Sequence, residues 1–218
     1  MPEAVSYTHK APRRRPTRLW EVAGAKAAMR DFGPGLETTC YTYGQFSLID
    51  VVVALIDDHT GPVDLDVCTW TVGVADMVRV NELMELGRIT DIRWVVDQGF
   101  QSRQPGYCEQ FRMIYGDEKI RTLRAHAKFL LLRNDQWDIV IRTSMNLNQN
   151  TRFEHVDVTH DRDLAEWHRE VVDGIFQTEP LGDFAPKSNV LVNGVAAAQH
   201  AGRVERGRVM NRGQVRVG

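Results

Sequence analysis

The chain has 218 residues, 43% apolar and 26% charged, with a net charge of −2 at pH 7. That length supports one substantial core, and the composition excludes both a low-complexity chain and a small disulfide scaffold. Its longest apolar run, at 51–56, falls far short of the roughly 20 residues of a membrane span, so stable membrane insertion is not expected.

The first eighteen residues are basic but have no apolar stretch behind them, so they do not read as a signal peptide. Cys40, Cys68 and Cys108 are odd in number and lack metal-ligand spacing. Three reduced, mostly buried thiols in a cytoplasmic protein are therefore expected. Of the 27 basic residues, ten lie in 1–18 and 203–218, where only Glu3 and Glu205 oppose them. The charge pattern predicts two flexible cationic arms, 1–18 and 186–218, on an acidic body at 19–185. Such arms suit a polyanion such as nucleic acid, or serve only to keep the chain soluble.

Along the body, the Thr- and Tyr-rich segment 37–46 predicts a strand. Ser47 with Asp50 three residues later predicts a capping box opening a buried helix over 48–58. A strand over 65–71 precedes a helix over 75–86 that stops at Gly87, and 92–96 reads as a third strand. Residues 106–115 predict a short helix. Asp161 or Asp163 caps a last helix whose apolar face is Leu164, Trp167, Val171 and Ile175. Strands separated by helices of this length imply an α/β layered sheet with parallel pairs, flanked by helices. Ligands of such sheets sit beyond the carboxyl ends of strands, which makes Tyr43, Gln45 and Trp70 candidate substrate-wall residues.

Residues 124–158 carry the chemistry. His126 and Lys128 stand at the head of the apolar run 129–132, and 139–141 is a second apolar run beyond the polar loop 134–137. A hairpin folded there opposes residues whose numbers sum to about 271. That register brings His126 and Lys128 to Thr143, Ser144 and Asn146. An imidazole can attack phosphorus and form a covalent intermediate. An ammonium and a carboxamide can hold the non-bridging oxygens as their charge grows. Glu154 could accept the other ring N–H and so orient the imidazole. The scheme needs neither metal nor cofactor.

The arrangement resembles the phospholipase D superfamily, whose signature is HxK, a later Asp, then GSxN and a Glu. His126 and Lys128 match HxK, Ser144 and Asn146 match the Ser and Asn, and Glu154 matches the Glu. The sequence is similar in particular to small bacterial and phage members with one such motif, and Asn148, Asn150, Arg152 and Glu154 fit their continuation. Two positions depart: Arg133 stands where the family has Asp, with Asp135 two residues later, and Thr143 replaces the Gly.

The resemblance implies a phospholipase D-like layered mixed sheet flanked by helices. It also implies catalytic roles for His126, Lys128, Ser144, Asn146 and Glu154, and a substrate-binding one for Arg152. The family uses two HxK motifs and this chain has one, so a homodimer sharing one active site is expected. A metal-independent phosphodiesterase acting on DNA or RNA is the favoured reading. A phospholipase or phosphatidyl transferase stands as an alternative. So does an inactive nucleic-acid-binding or assembly protein of the same fold, which the departures at Arg133 and Thr143 leave open.

Overall fold

The computed structural model describes residues 13–16, 24–148 and 151–181. All of these lie in one compact unit, His9–Phe184. The expected tail 186–218 and most of the expected arm 1–18 lie outside the described residues. Within that arm, Arg13–Pro16 forms strand β1 and pairs in parallel with β2, Leu36–Thr42.

The remaining elements are α1 (Ala25–Met29), α2 (Leu48–Leu55), β3 (Val63–Thr69), α3 (Val74–Glu85), β4 (Ile89–Asp97) and α4 (Phe100–Arg103). They continue with α5 (Pro105–Tyr115), β5 (Ile120–Leu123), β6 (Phe129–Arg133), β7 (Asp138–Thr143), β8 (Glu154–His160) and α6 (Arg162–Thr178). The eight strands form one mixed sheet in the order β1-β2-β8-β7-β6-β3-β4-β5. Strands β3, β4 and β5 run parallel, while β6, β7 and β8 are antiparallel neighbours that join them to β2. The expected layered α/β sheet is thus present and mixed.

The capping box at the start of α2 is complete. Ser47 Oγ accepts the Asp50 N–H at 3.3 Å, and Asp50 accepts the Ser47 N–H at 2.7 Å. Burial opposes charge on the Asp50 carboxyl, yet hydrogen bonds from Ser47 and Arg79 hold it below the usual carboxylate range. The helix was expected to run to 58. Instead it widens after Leu55 into a π-helical turn, Ile56–Thr60, closed by the Gly61 N–H on the Ile56 carbonyl at φ +66°.

One face of the sheet carries the main core, in which α1, α2, α3 and α5 cover Leu65, Val67, Leu130, Ile141, Val156 and Val158. At its centre Trp94 packs edge-on against Phe111, with ring centroids 4.9 Å apart. On the other face, Val172, Ile175 and Phe176 of α6 pack with Cys68, Val95 and Phe129.

Asp161 caps α6 by accepting the Leu164 N–H at 3.0 Å. The buried face of that helix is Leu164, Ala165, His168 and Val172, and Val171 is 40% exposed. Of the expected face, Leu164 and Ile175 pack inward, whereas Val171 is exposed and Ala165, His168 and Val172 take its place. His168, which the apolar pattern did not include, is buried with its ring 5.0 Å from Phe129 and Nδ1 2.9 Å from the Leu164 carbonyl oxygen. Burial holds this imidazole below its ordinary range. The unfolded chain takes up that proton near pH 6.5 and the native state resists it. The contribution of His168 to stability is thus full above pH 6.5 and is lost as pH falls through the lower native value. Urea denaturation at pH 7.5 and pH 5.5 should show wild-type protein losing stability on acidification, and His168→Leu should lose less.

All three cysteines are buried and free. Burial pushes the thiols of Cys40 and Cys68 up to about 12 and that of Cys108 up to about 11.

Candidate active site at one edge of the sheet

The register brings the carboxyl ends of β2, β3, β4, β5 and β7 and the amino ends of β6 and β8 to the same edge. The pairs Thr42↔Glu154, Thr69↔Val96, Asp97↔Leu123, Cys68↔Phe129 and Thr143↔Val156 define it. Every sequence-predicted site residue lies at this edge or in a loop leaving it.

The hairpin pairs Phe129 with Arg142 and Arg133 with Asp138, the sum of 271 expected from the sequence. Strand β6 begins at Phe129, however, so His126 and Lys128 are not strand residues. They occupy a lead-in, 124–128, that joins β5 to β6 and is held at several points. The Ala125 N–H donates to the Leu123 carbonyl at 2.8 Å, and the Thr143 N–H donates to the Lys128 carbonyl at 3.2 Å. The Cys68 thiol reaches the Ala127 carbonyl at 3.5 Å. Lys128 is half-buried and its Nζ donates to the His126 carbonyl at 2.9 Å, while His126 itself is exposed.

Beside His126 stands Trp70, with ring centroids 6.2 Å apart and planes at 61°. Arg103 covers the Trp70 ring, with its guanidinium carbon 4.0 Å from the ring centroid. Arg103 also donates to the Trp70 carbonyl at 3.0 Å and to Asp97 at 2.7 Å. A Cβ on Gly99 would stand 2.5 Å from Arg103 Nη1 and 2.9 Å from Asp97 Oδ1, so a larger residue there would require this ion pair to shift. Trp70 is therefore a fixed wall beside the imidazole. Arg103 and Asp97 were missed by sequence reasoning, because neither belongs to a motif and they meet only when α4 folds back over the end of β4.

After β7 the chain turns through 144–148 and is fastened to the Trp70 loop. The Leu147 N–H donates to Thr69 Oγ1 at 3.3 Å, and the Gly73 N–H donates to the Leu147 carbonyl at 2.7 Å. A Cβ at Gly73 would stand 3.1 Å from that of Asn148, so the two segments meet backbone to backbone. The Asn146 and Asn148 amide oxygens are buried and meet no donor among the described residues; as acceptors they call for a donor such as water. Gln149 and Asn150 lie outside the described residues.

Ser144 donates a short hydrogen bond to Glu154 Oε2, and its Oγ accepts the His155 N–H at 3.0 Å. The observed partner of Glu154 is thus the serine hydroxyl. Glu154 opens β8, two strands from β6, a separation of roughly 10 Å.

The two departures from the expected pattern have physical accounts. Thr143 uses its hydroxyl twice, donating to the His155 carbonyl at 2.6 Å and accepting the Met145 N–H at 2.9 Å, which shapes the turn a glycine would otherwise make. Arg133 lies at the opposite end of the hairpin, roughly 16 Å along the strand from Lys128. There it pairs with Asp138 at 3.0 Å and approaches Glu166 at 3.8 Å, away from the site.

Gln45 Oε1 accepts the Thr42 hydroxyl at 2.9 Å and the Tyr43 N–H at 2.6 Å, and so shapes the loop that presents Tyr43. Tyr43 is 53% exposed, and Arg152 is exposed just ahead of β8. Among the described residues, no three His, Cys, Asp or Glu side chains converge as metal ligands, and no helix is long and apolar enough to cross a membrane.

No family model matches the chain, and no curated protein matches it. The solved structures similar to it include the following three. One is a phospholipase D family member, Nuc, from Salmonella typhimurium, at 18% identity and TM-score 0.47 over 66% of this chain and 97% of that one. NucT from Helicobacter pylori gives 12% and 0.46 over 66% and 98%. Phosphatidylserine synthase from Haemophilus influenzae gives 14% and 0.47 over 79% and 46%. At these values the functional reading rests on the side chains of the edge.

Proposed function

We propose that the protein is a metal-independent phosphodiesterase, and that its substrate is DNA or RNA. The observation that carries this reading is the gathering of an exposed imidazole, an ammonium, an amide and a serine–carboxylate pair at one sheet edge, on loops tied to one another. An imidazole nitrogen of His126 attacks phosphorus, the P–O bond to the leaving group breaks, and a phosphohistidine forms that still carries the other ester arm of the diester. Lys128 and Asn146 hold the non-bridging oxygens in the transition state. The Ser144–Glu154 pair sets the loop that carries Asn146. Water then attacks the phosphohistidine and frees the ring.

The leaving alkoxide needs a proton, which in this reading comes from the partner's His126 in a two-fold dimer. One ring must be neutral and the other protonated, so the pH–rate profile should be bell-shaped. The shared site is tested by co-expressing wild-type and His126→Ala subunits and measuring hydrolysis of a chromogenic phosphodiester in EDTA. Activity should fall as the square of the wild-type fraction, because every mixed dimer lacks one of the two rings. A linear fall, or full activity in a monomer at assay concentration, contradicts the shared site. Phosphate contacts are common to lipid and nucleic-acid diesters. The cationic termini favour the polyanion, through counterion release.

A further inference from the structure

Tyr41, Tyr43 and Phe153 form an exposed aromatic cluster next to the edge just described. Phe153 stacks on Tyr41 with centroids 5.2 Å apart and planes within 4°, and its ring lies 4.8 Å from Tyr43 at 36°. The three rings are 42%, 53% and 55% exposed in chain order, among the more exposed large apolar side chains of the described residues. Their grouping follows from the register. Because Thr42 pairs with Glu154 and Tyr41 with His155, continuing the ladder by one step opposes Tyr43 to Phe153. Strand alternation sends these rings to the face opposite Thr42 and Glu154.

We infer that this cluster is a stacking platform for a nucleobase flanking the scissile phosphate, so that the substrate is single-stranded nucleic acid. The inference rests on the phosphodiesterase reading for its phosphate and adds the base. Three observations select this occupant. The rings are already stacked, so one more flat ring continues the pile, and base-on-aromatic stacking tolerates every sequence. The platform and the phosphate edge share one end of the sheet, on opposite faces: Phe153 precedes Glu154, and the loop carrying Tyr43 leaves the strand end that pairs with Glu154, so a nucleic-acid strand crossing that end meets both. Its surroundings are polar, with the Thr39 hydroxyl on Asp157 at 2.6 Å and His155 paired beside Tyr41, which suits a base edge better than an acyl chain. Duplex bases are stacked on each other and offer no free face, whereas an unpaired base does.

The test uses full-length protein carrying His126→Ala, so that binding is read without cleavage. A single-stranded oligonucleotide containing 2-aminopurine is titrated in EDTA, and quenching of its fluorescence reports stacking. Quenching should be strong and saturable. Adding Phe153→Ala should weaken affinity by roughly 10-fold or more, the scale of one base–aromatic stack. Phe153→Tyr should retain affinity, and Phe153→Leu, which keeps apolar bulk but no ring, should behave as alanine does.

Equal affinity in the Phe153→Ala protein overturns the inference, as does Phe153→Leu behaving as wild type. Two further results also overturn it. One is Phe153-dependent binding to phosphatidylglycerol vesicles with none to the oligonucleotide. The other is a dimer that falls to monomer when Phe153 alone is changed, which would make the cluster a contact between two copies. Hydrolysis of a chromogenic phosphodiester by wild-type protein keeps the two readings apart. Turnover without quenching rejects the platform and leaves the phosphodiesterase. Quenching without turnover does the reverse.

Discussion

Changing His126 to alanine should lower phosphodiester turnover by at least about 10⁴-fold, the scale seen when a nucleophile is removed from a site that acts as a unit. The fold should be unaffected. His126 is exposed and stands in a lead-in held by neighbouring backbone groups, so truncating its ring removes little burial and none of the bonds at Ala125, Ala127 or the Lys128 carbonyl. Circular dichroism and the urea midpoint should match wild type while steady-state hydrolysis in EDTA drops to background. Matching activity in the two proteins would remove the imidazole from the mechanism, and with it the reading of the whole edge.

The next largest losses should come from Lys128→Ala and Asn146→Ala, each lowering kcat by roughly 10²–10³-fold, the usual loss for one donor aimed at a developing oxyanion. Lys128 is half-buried and its Nζ donates to the His126 carbonyl; an ammonium carries three donors, so others are there for a phosphate oxygen. Asn146 stands two residues after Ser144 in the turn that leaves β7, and its carboxamide carries two N–H donors of the kind a developing oxyanion takes. These are transition-state contacts, so the fall should appear in kcat with KM moving little. Lys128→Arg should recover only part of the rate, because a planar fork does not occupy the place of a compact ammonium. A change confined to KM would make these residues general phosphate binders.

Much of this edge was legible in the residues. The hairpin register followed from two apolar runs about a four-residue polar loop, and Phe129 indeed faces Arg142. The capping box at Ser47 and Asp50, the stop at Gly87 and the cap at Asp161 each depend on short-range hydrogen bonds or a backbone angle that a single residue type favours.

What could not be read depended on contacts between distant segments. Nothing local announces that Arg103 closes over Trp70, because the clamp exists only where α4 returns past the ends of β3 and β4. The role of Thr143 in shaping its turn needed the neighbouring strand to supply the His155 carbonyl. The face of α6 was read correctly at Leu164 and Ile175 but without His168, because a count of apolar residues leaves a histidine out, whereas packing against Phe129 uses it as a flat, largely apolar ring. Phe153 was overlooked for a different reason. Glu154 beside it drew the chemical reading, and only the β2–β8 register shows the ring facing Tyr43.

The central claim is that His126 becomes covalently phosphorylated, and acid-free rapid quenching tests it most directly. Wild-type protein is mixed in EDTA with an oligonucleotide labelled at its internal phosphates, denatured in alkali within milliseconds to seconds, and mapped by peptide mass spectrometry. A phosphohistidine survives alkali and is lost in acid. The account predicts a transient, acid-labile adduct on His126 that is absent from the His126→Ala protein. Rapid turnover with no adduct at any time point, or turnover that occurs only when a divalent metal is restored, would contradict it.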